Sequence, residues 1–126
     1  MLCETKEDGR EKCSQYFPTN EGESIIYGNY EVTVNRSRRF RNITETNLEI
    51  CNIHNKDKSR GLVHLFFPNW ADHSDAKGWE FELCHLVESV EKIKKRATSN
   101  KLTGRTRNEC LIHCSAGIGR TGTLVG

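Results

Sequence analysis

Between Phe67 and Trp79 the apolar residues of this 126-residue chain change period, and that change dictates the class of fold. Upstream the period is two. Thr44, Thr46, Leu48 and Ile50 alternate with Glu45, Asn47, Glu49 and Cys51, the pattern of a half-buried strand. Ile25, Tyr27, Tyr30, Val32 and Val34 predict another strand over residues 24–35, broken near Gly28-Asn29. Arg36 to Arg41 reads as a basic, solvated hairpin connection. Gly61-Leu62-Val63-His64-Leu65-Phe66-Phe67 is a more continuous apolar run and so a more buried strand. Downstream, from Ala76-Lys77, a helix is expected. Trp79, Leu83, Leu86, Val87, Val90, Ile93 and Ala97 recur at three- and four-residue spacing and form an apolar stripe. Glu80 and Glu82 near its start and Lys92, Lys94, Lys95 and Arg96 near its end compensate the helix dipole. That basic cluster is therefore helix-end chemistry rather than a ligand site. Strands followed by a helix predict an α/β (α+β) fold, with a mixed twisted sheet and flanking helices.

The C-terminal end concentrates the chemistry. After a polar loop over residues 98–108, Cys110-Leu111-Ile112-His113 reads as a short buried strand. It runs straight into Cys114-Ser115-Ala116-Gly117-Ile118-Gly119-Arg120, where a helix begins. A strand, a loop of small residues and a helix start make an anion cradle. Loop amides turn inward at a tetrahedral oxyanion, and the helix N-terminus adds partial positive charge. Gly117 and Gly119 permit the turns and the close approach, and Ser115 and Ala116 are small for the same reason. Cys114 at the loop mouth feels these dipoles and Arg120, a setting that lowers a thiol pKa from about 8.5 into the 3.5–7.5 range. Arg120 can hold two oxygens of a phosphate in a bidentate pair, which a lysine does less well.

Other classes are disfavoured. A formal net charge of +2 without a basic stretch argues against a dedicated nucleic-acid binder. No apolar run approaches the roughly 20 residues of a membrane span, and the charged N-terminus lacks the apolar core of a secretory leader. The six cysteines (Cys3, Cys13, Cys51, Cys84, Cys110 and Cys114) show no Cys-x-x-Cys pair and no zinc spacing. Reduced thiols in a cytosol are favoured over disulfides. No metal and no cofactor is expected, and oligomeric state is not legible.

The string His113-Cys114-Ser115-Ala116-Gly117-Ile118-Gly119-Arg120-Thr121-Gly122 resembles the signature of the protein tyrosine phosphatases. Trp70-Ala71-Asp72-His73 resembles that family's mobile Trp-Pro-Asp loop, and Lys12-Cys13-Ser14-Gln15-Tyr16-Phe17-Pro18 its Lys-Cys-x-Gln-Tyr block. Glu7, Gly9 and Lys12 match the loop before that block. The order of the blocks is the family's, and they point to its phosphotyrosine-specific branch. The resemblance implies hydrolysis of phosphotyrosine in proteins through a phosphocysteine. Cys114 would be nucleophile, Asp72 general acid and then base, and Arg120 with the 115–119 amides the phosphate clamp. Thr121 would assist release of the thiolate, His113 would hold the loop, and Glu7, Lys12 and Trp70 would support the site. A cytoplasmic location follows, either in a soluble protein or in the cytoplasmic part of a receptor-type chain.

The match has departures. Ala71 stands where relatives carry proline, which leaves the loop less preorganised. Family catalytic domains run to roughly twice this length. Residues 1–126 are thus expected to be an internal part of such a domain, with N-terminal and C-terminal parts missing and weak activity on their own. Two other readings stand beside this one. The chain is a catalytically impaired phosphotyrosine- or partner-binding module, or it is a sulfur-transfer or arsenate-reducing enzyme with the same Cys-x5-Arg loop. The second kind lacks the Trp-x-Asp loop and the Lys-Cys-x-Gln-Tyr block.

Overall fold

A computed structural model describes residues 1–71, 73–99 and 109–126. A small hairpin comes first, β1 (Lys6–Glu7) and β2 (Arg10–Glu11). Asp8 and Gly9 both adopt positive φ, 50° and 74°, as a two-residue turn with the twist of its strands requires. Four antiparallel strands then pair in sequence order: β3 (Ser24–Tyr27), β4 (Tyr30–Phe40), β5 (Ile43–Asn52) and β6 (Asn55–Phe66). Two helices follow, α1 (Glu80–Ser99) and α2 (Gly119–Val125). No described helix is long and apolar enough to cross a membrane. The architecture is α+β.

The expected break at Gly28-Asn29 is the β3–β4 turn, with Tyr27 opposite Tyr30. The basic segment 36–41 is not a connection. It continues β4 to Phe40, paired with β5 out to Phe40↔Ile43, and the turn falls on Arg41 and Asn42. A bulge between Val34 and Arg36 resets the register, so strand pairing rather than residue chemistry carries these arginines along the ladder. β6 likewise begins at Asn55, six residues before the apolar run. Its first half is exposed, and even Leu62 is exposed, because β6 lies at the edge of this four-stranded sheet.

The helix opens at Glu80, not at Ala76-Lys77, because Gly78 sits at φ +87° and its amide is taken by the Glu80 carboxylate. Leu86 enters the core with Val32, Val34, Ile43, Leu48 and Phe67, and Leu83 and Trp79 pack against it. Trp79 meets Phe67 edge to face at 5.4 Å. Val87 does not belong to the stripe. At about 100° per residue it falls roughly 80° from the Trp79 direction, and it is half exposed. Glu82 falls on the stripe's other flank and is buried, with Asn42 donating to its carboxylate at 3.2 Å. Asp72 and most of the loop read over 98–108 lie outside the described residues; Thr98 and Ser99 end α1.

The N-terminal residues are more structural than their polar context suggests. Met1, Leu2 and Cys3 are core residues. The Met1 ammonium donates to the Leu65 carbonyl at 2.7 Å, and the Phe67 amide donates to the Met1 carbonyl at 2.9 Å. That pattern sets Met1 beside Phe66 as a parallel pair, which makes the sheet mixed at this edge. Leu2 N–H then donates to the His113 carbonyl at 2.9 Å. Residues 1–3 thus lie between the end of β6 and the segment entering Cys114. That segment is not the buried strand expected over 110–113. Cys110 and Leu111 are exposed, and the one backbone bond that joins the segment to Leu2 among the described residues does not make a ladder.

Candidate active site

Cys114 stands where the chain leaves its contact with Leu2 and turns toward α2. Its side chain is buried, although Ser115 to Gly119 are exposed around it. Gly117 adopts φ +76°, the left-handed region that costs any residue with a Cβ, so glycine there is a backbone requirement. Gly119 has no such requirement, and a Cβ on it would meet no protein atom. Its smallness serves the open cavity in front of it. That cavity, of about 460 Å³, is lined by residues of the Cys114–Arg120 loop and Thr123 together with Trp70, His73 and Ser74.

Several forces act on the Cys114 sulfur. Burial is the largest and pushes its pKa up. It is outweighed by the Thr121 hydroxyl and amide, the Gly117 amide and the charge of Arg120, which together bring the pKa down to about 7. The Thr121 hydroxyl is buried and makes no well-directed hydrogen bond. A hydroxyl rotor follows the charge it meets, so its action on the sulfur is that of a free dipole rather than a fixed bond. Near neutral pH a large share of this thiol is thiolate.

Arg120 is held from two sides. Its Nη1 donates to Glu7 Oε1 at 2.7 Å and to the Trp70 carbonyl at 2.7 Å, and its side chain is 3% exposed. Glu7 closes β1 just before the Asp8-Gly9 turn, so the hairpin exists in part to present this carboxylate. The Trp70 ring is buried, with its Nε1 donating to the Ser74 carbonyl at 3.2 Å. The Ser74 hydroxyl donates to the Ala71 carbonyl at 2.7 Å. That bond restrains the backbone at the position where the sequence lacks proline. Lys12 does not line the Cys114 cavity. Its carbonyl accepts from the Ser115 hydroxyl at 3.2 Å, and its side chain borders a neighbouring cavity with Glu7, Asp8, Arg10 and His73.

His113 faces away from the cavity. Its Nδ1 lies 3.1 Å from the Cys114 carbonyl and its Nε2 lies 2.7 Å from the Tyr16 hydroxyl. Tyr16 in turn lies 3.1 Å from Nε2 of His64, a buried residue of β6. Tyr16 and His64 had no assigned role in the sequence. Tyr16 was visible only as part of a block, and nothing in the pattern of β6 marks His64. The described residues contain no group of histidine, cysteine and carboxylate side chains able to hold a metal.

The geometry is a buried, acidified thiol beside a doubly anchored guanidinium at a helix start. The comparisons with known proteins agree with it. The family model described as protein-tyrosine phosphatase matches residues 1–126. Human receptor-type tyrosine-protein phosphatase C is 31% identical over 126 residues, which cover 100% of this chain and 9% of that protein. Human tyrosine-protein phosphatase non-receptor type 9 is 33% identical over 129 residues, covering 98% of this chain and 21% of the relative. Mouse receptor-type tyrosine-protein phosphatase alpha is 31% identical over 127 residues, covering 98% and 14%. The chain thus spans about a fifth or less of the length of these relatives. With a match along its whole length and its acidified cysteine and arginine in one cradle, the chain belongs to the protein-tyrosine phosphatase family.

Proposed function

We propose that this chain forms part of a larger tyrosine-phosphatase catalytic domain and hydrolyses phosphotyrosine in proteins through a phosphocysteine. The observation that carries the reading is the Cys114 thiol, brought down to about 7 at the base of a cavity that Arg120 also lines. The thiolate attacks phosphorus in line, a sulfur–phosphorus bond forms and the phosphorus–phenolate bond breaks. Arg120 and the amides of residues 115–119 take the equatorial oxygens, preorganised because Glu7 and Trp70 fix the guanidinium before substrate arrives. Asp72 gives its proton to the phenolate and then takes one from the water that cleaves the sulfur–phosphorus bond. The Thr121 dipole steadies the departing thiolate. A cytoplasmic setting, where phosphotyrosine proteins are available, belongs to the same proposal.

Turnover of a phosphotyrosine peptide by the parent chain, Cys114→Ser and Asp72→Ala tests it. Cys114→Ser should abolish turnover and keep peptide binding. Asp72→Ala should cost about 10²–10⁴ in rate and spare substrates whose leaving group needs no proton. Turnover by Cys114→Ser within about tenfold of the parent, or equal losses by Asp72→Ala on good and poor leaving groups, would remove these roles. A second reading, phosphotyrosine binding without turnover, is favoured by Ala71, which leaves the acid's loop without its proline. Binding by the parent chain with no phosphate release would establish that reading instead.

A further inference from the structure

The three rings His64, Tyr16 and His113 form a chain that ends on the backbone of Cys114, and their proton assignments can be worked out from one end. A carbonyl oxygen only accepts, so His113 Nδ1, 3.1 Å from the Cys114 carbonyl, is the donor there. In the neutral ring Nε2 is then a bare acceptor, and the Tyr16 hydroxyl at 2.7 Å donates to it. Burial pushes the Tyr16 pKa up, so this phenol keeps its proton. Its oxygen is left to accept. The Met1 sulfur, 3.5 Å away, has no proton to give, so the donor in reach is His64 Nε2 at 3.1 Å. His64 must then carry its proton on Nε2 and leave Nδ1 bare. His64 Nδ1 is a buried atom with no hydrogen-bond partner, which suits a lone pair far better than an N–H. Burial brings the His64 pKa down to about 4, helped by the Met1 ammonium and His113, so the ring stays neutral. The rings of Phe17, at 4.3 Å, and Phe66, at 6.1 Å, wall its faces.

Every donor in this chain therefore points the same way, from β6 toward the nucleophile. Each bond accepted strengthens the next one donated. We propose that His64 is a positioning residue for Cys114, acting through Tyr16 and His113 to fix the peptide from which the phosphate-binding loop departs. The ordered peptide keeps the Gly117 and Thr121 amides aimed at the sulfur, and the His113 N–H dipole sets its positive end against the loop. Besides these, the sulfur faces the charge of Arg120, while Tyr16 faces the thiols of Cys13 and Cys3. None of these is altered by a change at His64. The proposal builds on Cys114 as the nucleophile of the proposed function, but it concerns the thiol and can be read without turnover.

The test is the pH dependence of Cys114 alkylation by iodoacetamide in the parent chain, His64→Leu, Tyr16→Phe, the double variant and His64→Gln. Cys114→Ser sets the background from the other thiols. His64→Leu and Tyr16→Phe should each raise the apparent pKa of Cys114 by about half a unit, a roughly threefold loss of thiolate on the acid side. The double variant should shift it no further than Tyr16→Phe alone, because the residues act in series. His64→Gln, which can still donate to Tyr16, should restore the parent profile. A Cys114 profile unmoved by His64→Leu, additive shifts in the double variant, or a His64→Gln that behaves as His64→Leu would overturn the proposal. Should His64→Leu not fold, nitrogen NMR on the parent chain decides. Protons on His64 Nε2 and His113 Nδ1 are required, and the opposite tautomer at either overturns it. If the His64 dependence holds and phosphotyrosine is not hydrolysed, the function fails and this inference stands.

Discussion

Removing the Glu7 carboxylate should weaken the fold and sharpen the nucleophile at once. The Glu7–Arg120 pair is 2.7 Å long, with side chains 14% and 3% exposed, so it is nearly desolvated. Breaking a buried pair by deleting one partner costs about 3–5 kcal/mol, because the other charge is stranded. Here the stranding is incomplete. The same Arg120 nitrogen still donates to the Trp70 carbonyl at 2.7 Å, and water reaches the hairpin that carries Glu7. The loss is then nearer that of one charged hydrogen bond, about 2–3 kcal/mol for Glu7→Ala. Glu7→Gln keeps an acceptor and should lose about half as much. With an m-value of about 1–3 kcal/mol/M, the urea midpoint of Glu7→Ala should fall by about 1–2 M, followed by the fluorescence of Trp70 and Trp79. The thiol should move oppositely. With the carboxylate gone, more of the Arg120 charge acts on the sulfur, and the Cys114 pKa should drop below its value of about 7. A midpoint unchanged within about 0.3 M would refute the energetic argument. A Cys114 pKa that rises would show that Glu7 holds Arg120 in place, and that the guanidinium leaves the sulfur without it.

Gly117→Ala should cost about 1–2 kcal/mol, since φ is +76° and the added Cβ meets no neighbour, so backbone strain is the whole effect. Alkylation of Cys114 at neutral pH should slow with it, and a loss of stability below about 0.5 kcal/mol would contradict the assignment. Cys114 and His64 are among the groups through which stability should follow pH. Cys114 ionises near 7 in the fold and near 8.5 in the unfolded chain, so its contribution is present above about 8.5 and is lost as pH falls toward 7. His64 stays bare to about 4 in the fold but takes a proton near 6.5 when unfolded, so its contribution is present above about 6.5 and is lost as pH falls toward 4. Urea melts across pH should show both slopes. Cys114→Ser should reduce the alkaline one, which the buried Met1 amine shares, and His64→Leu the acid one, and variants with unaltered slopes would place the titration elsewhere.

The order of the strands between residues 24 and 67 and of the helix after them, the turn at Gly28-Asn29, and the loop carrying Cys114 and Arg120 were legible in the sequence. They rest on local causes: side-chain period, the φ demands of turn residues, and the coupling of a small-residue loop to a helix start. Where local character misled, pairing had overruled it. The arginines of 36–41 look like a solvated turn but extend β4 because β5 continues beside them. Leu111 looks like a core strand residue and lies exposed, because among the described residues the neighbouring backbone bond joins Leu2 to His113 and no ladder continues from it. The parts that finish the site could come only from the tertiary structure. Glu7 meets Arg120 across 113 positions, Tyr16 meets His113 across 97, and His64 reaches Tyr16 across 48. No period or spacing encodes such contacts. They arise because burying Met1 to Cys3 beside the end of β6 brings the hairpin, β6 and the Cys114 loop together, so that their polar groups must find partners in one another.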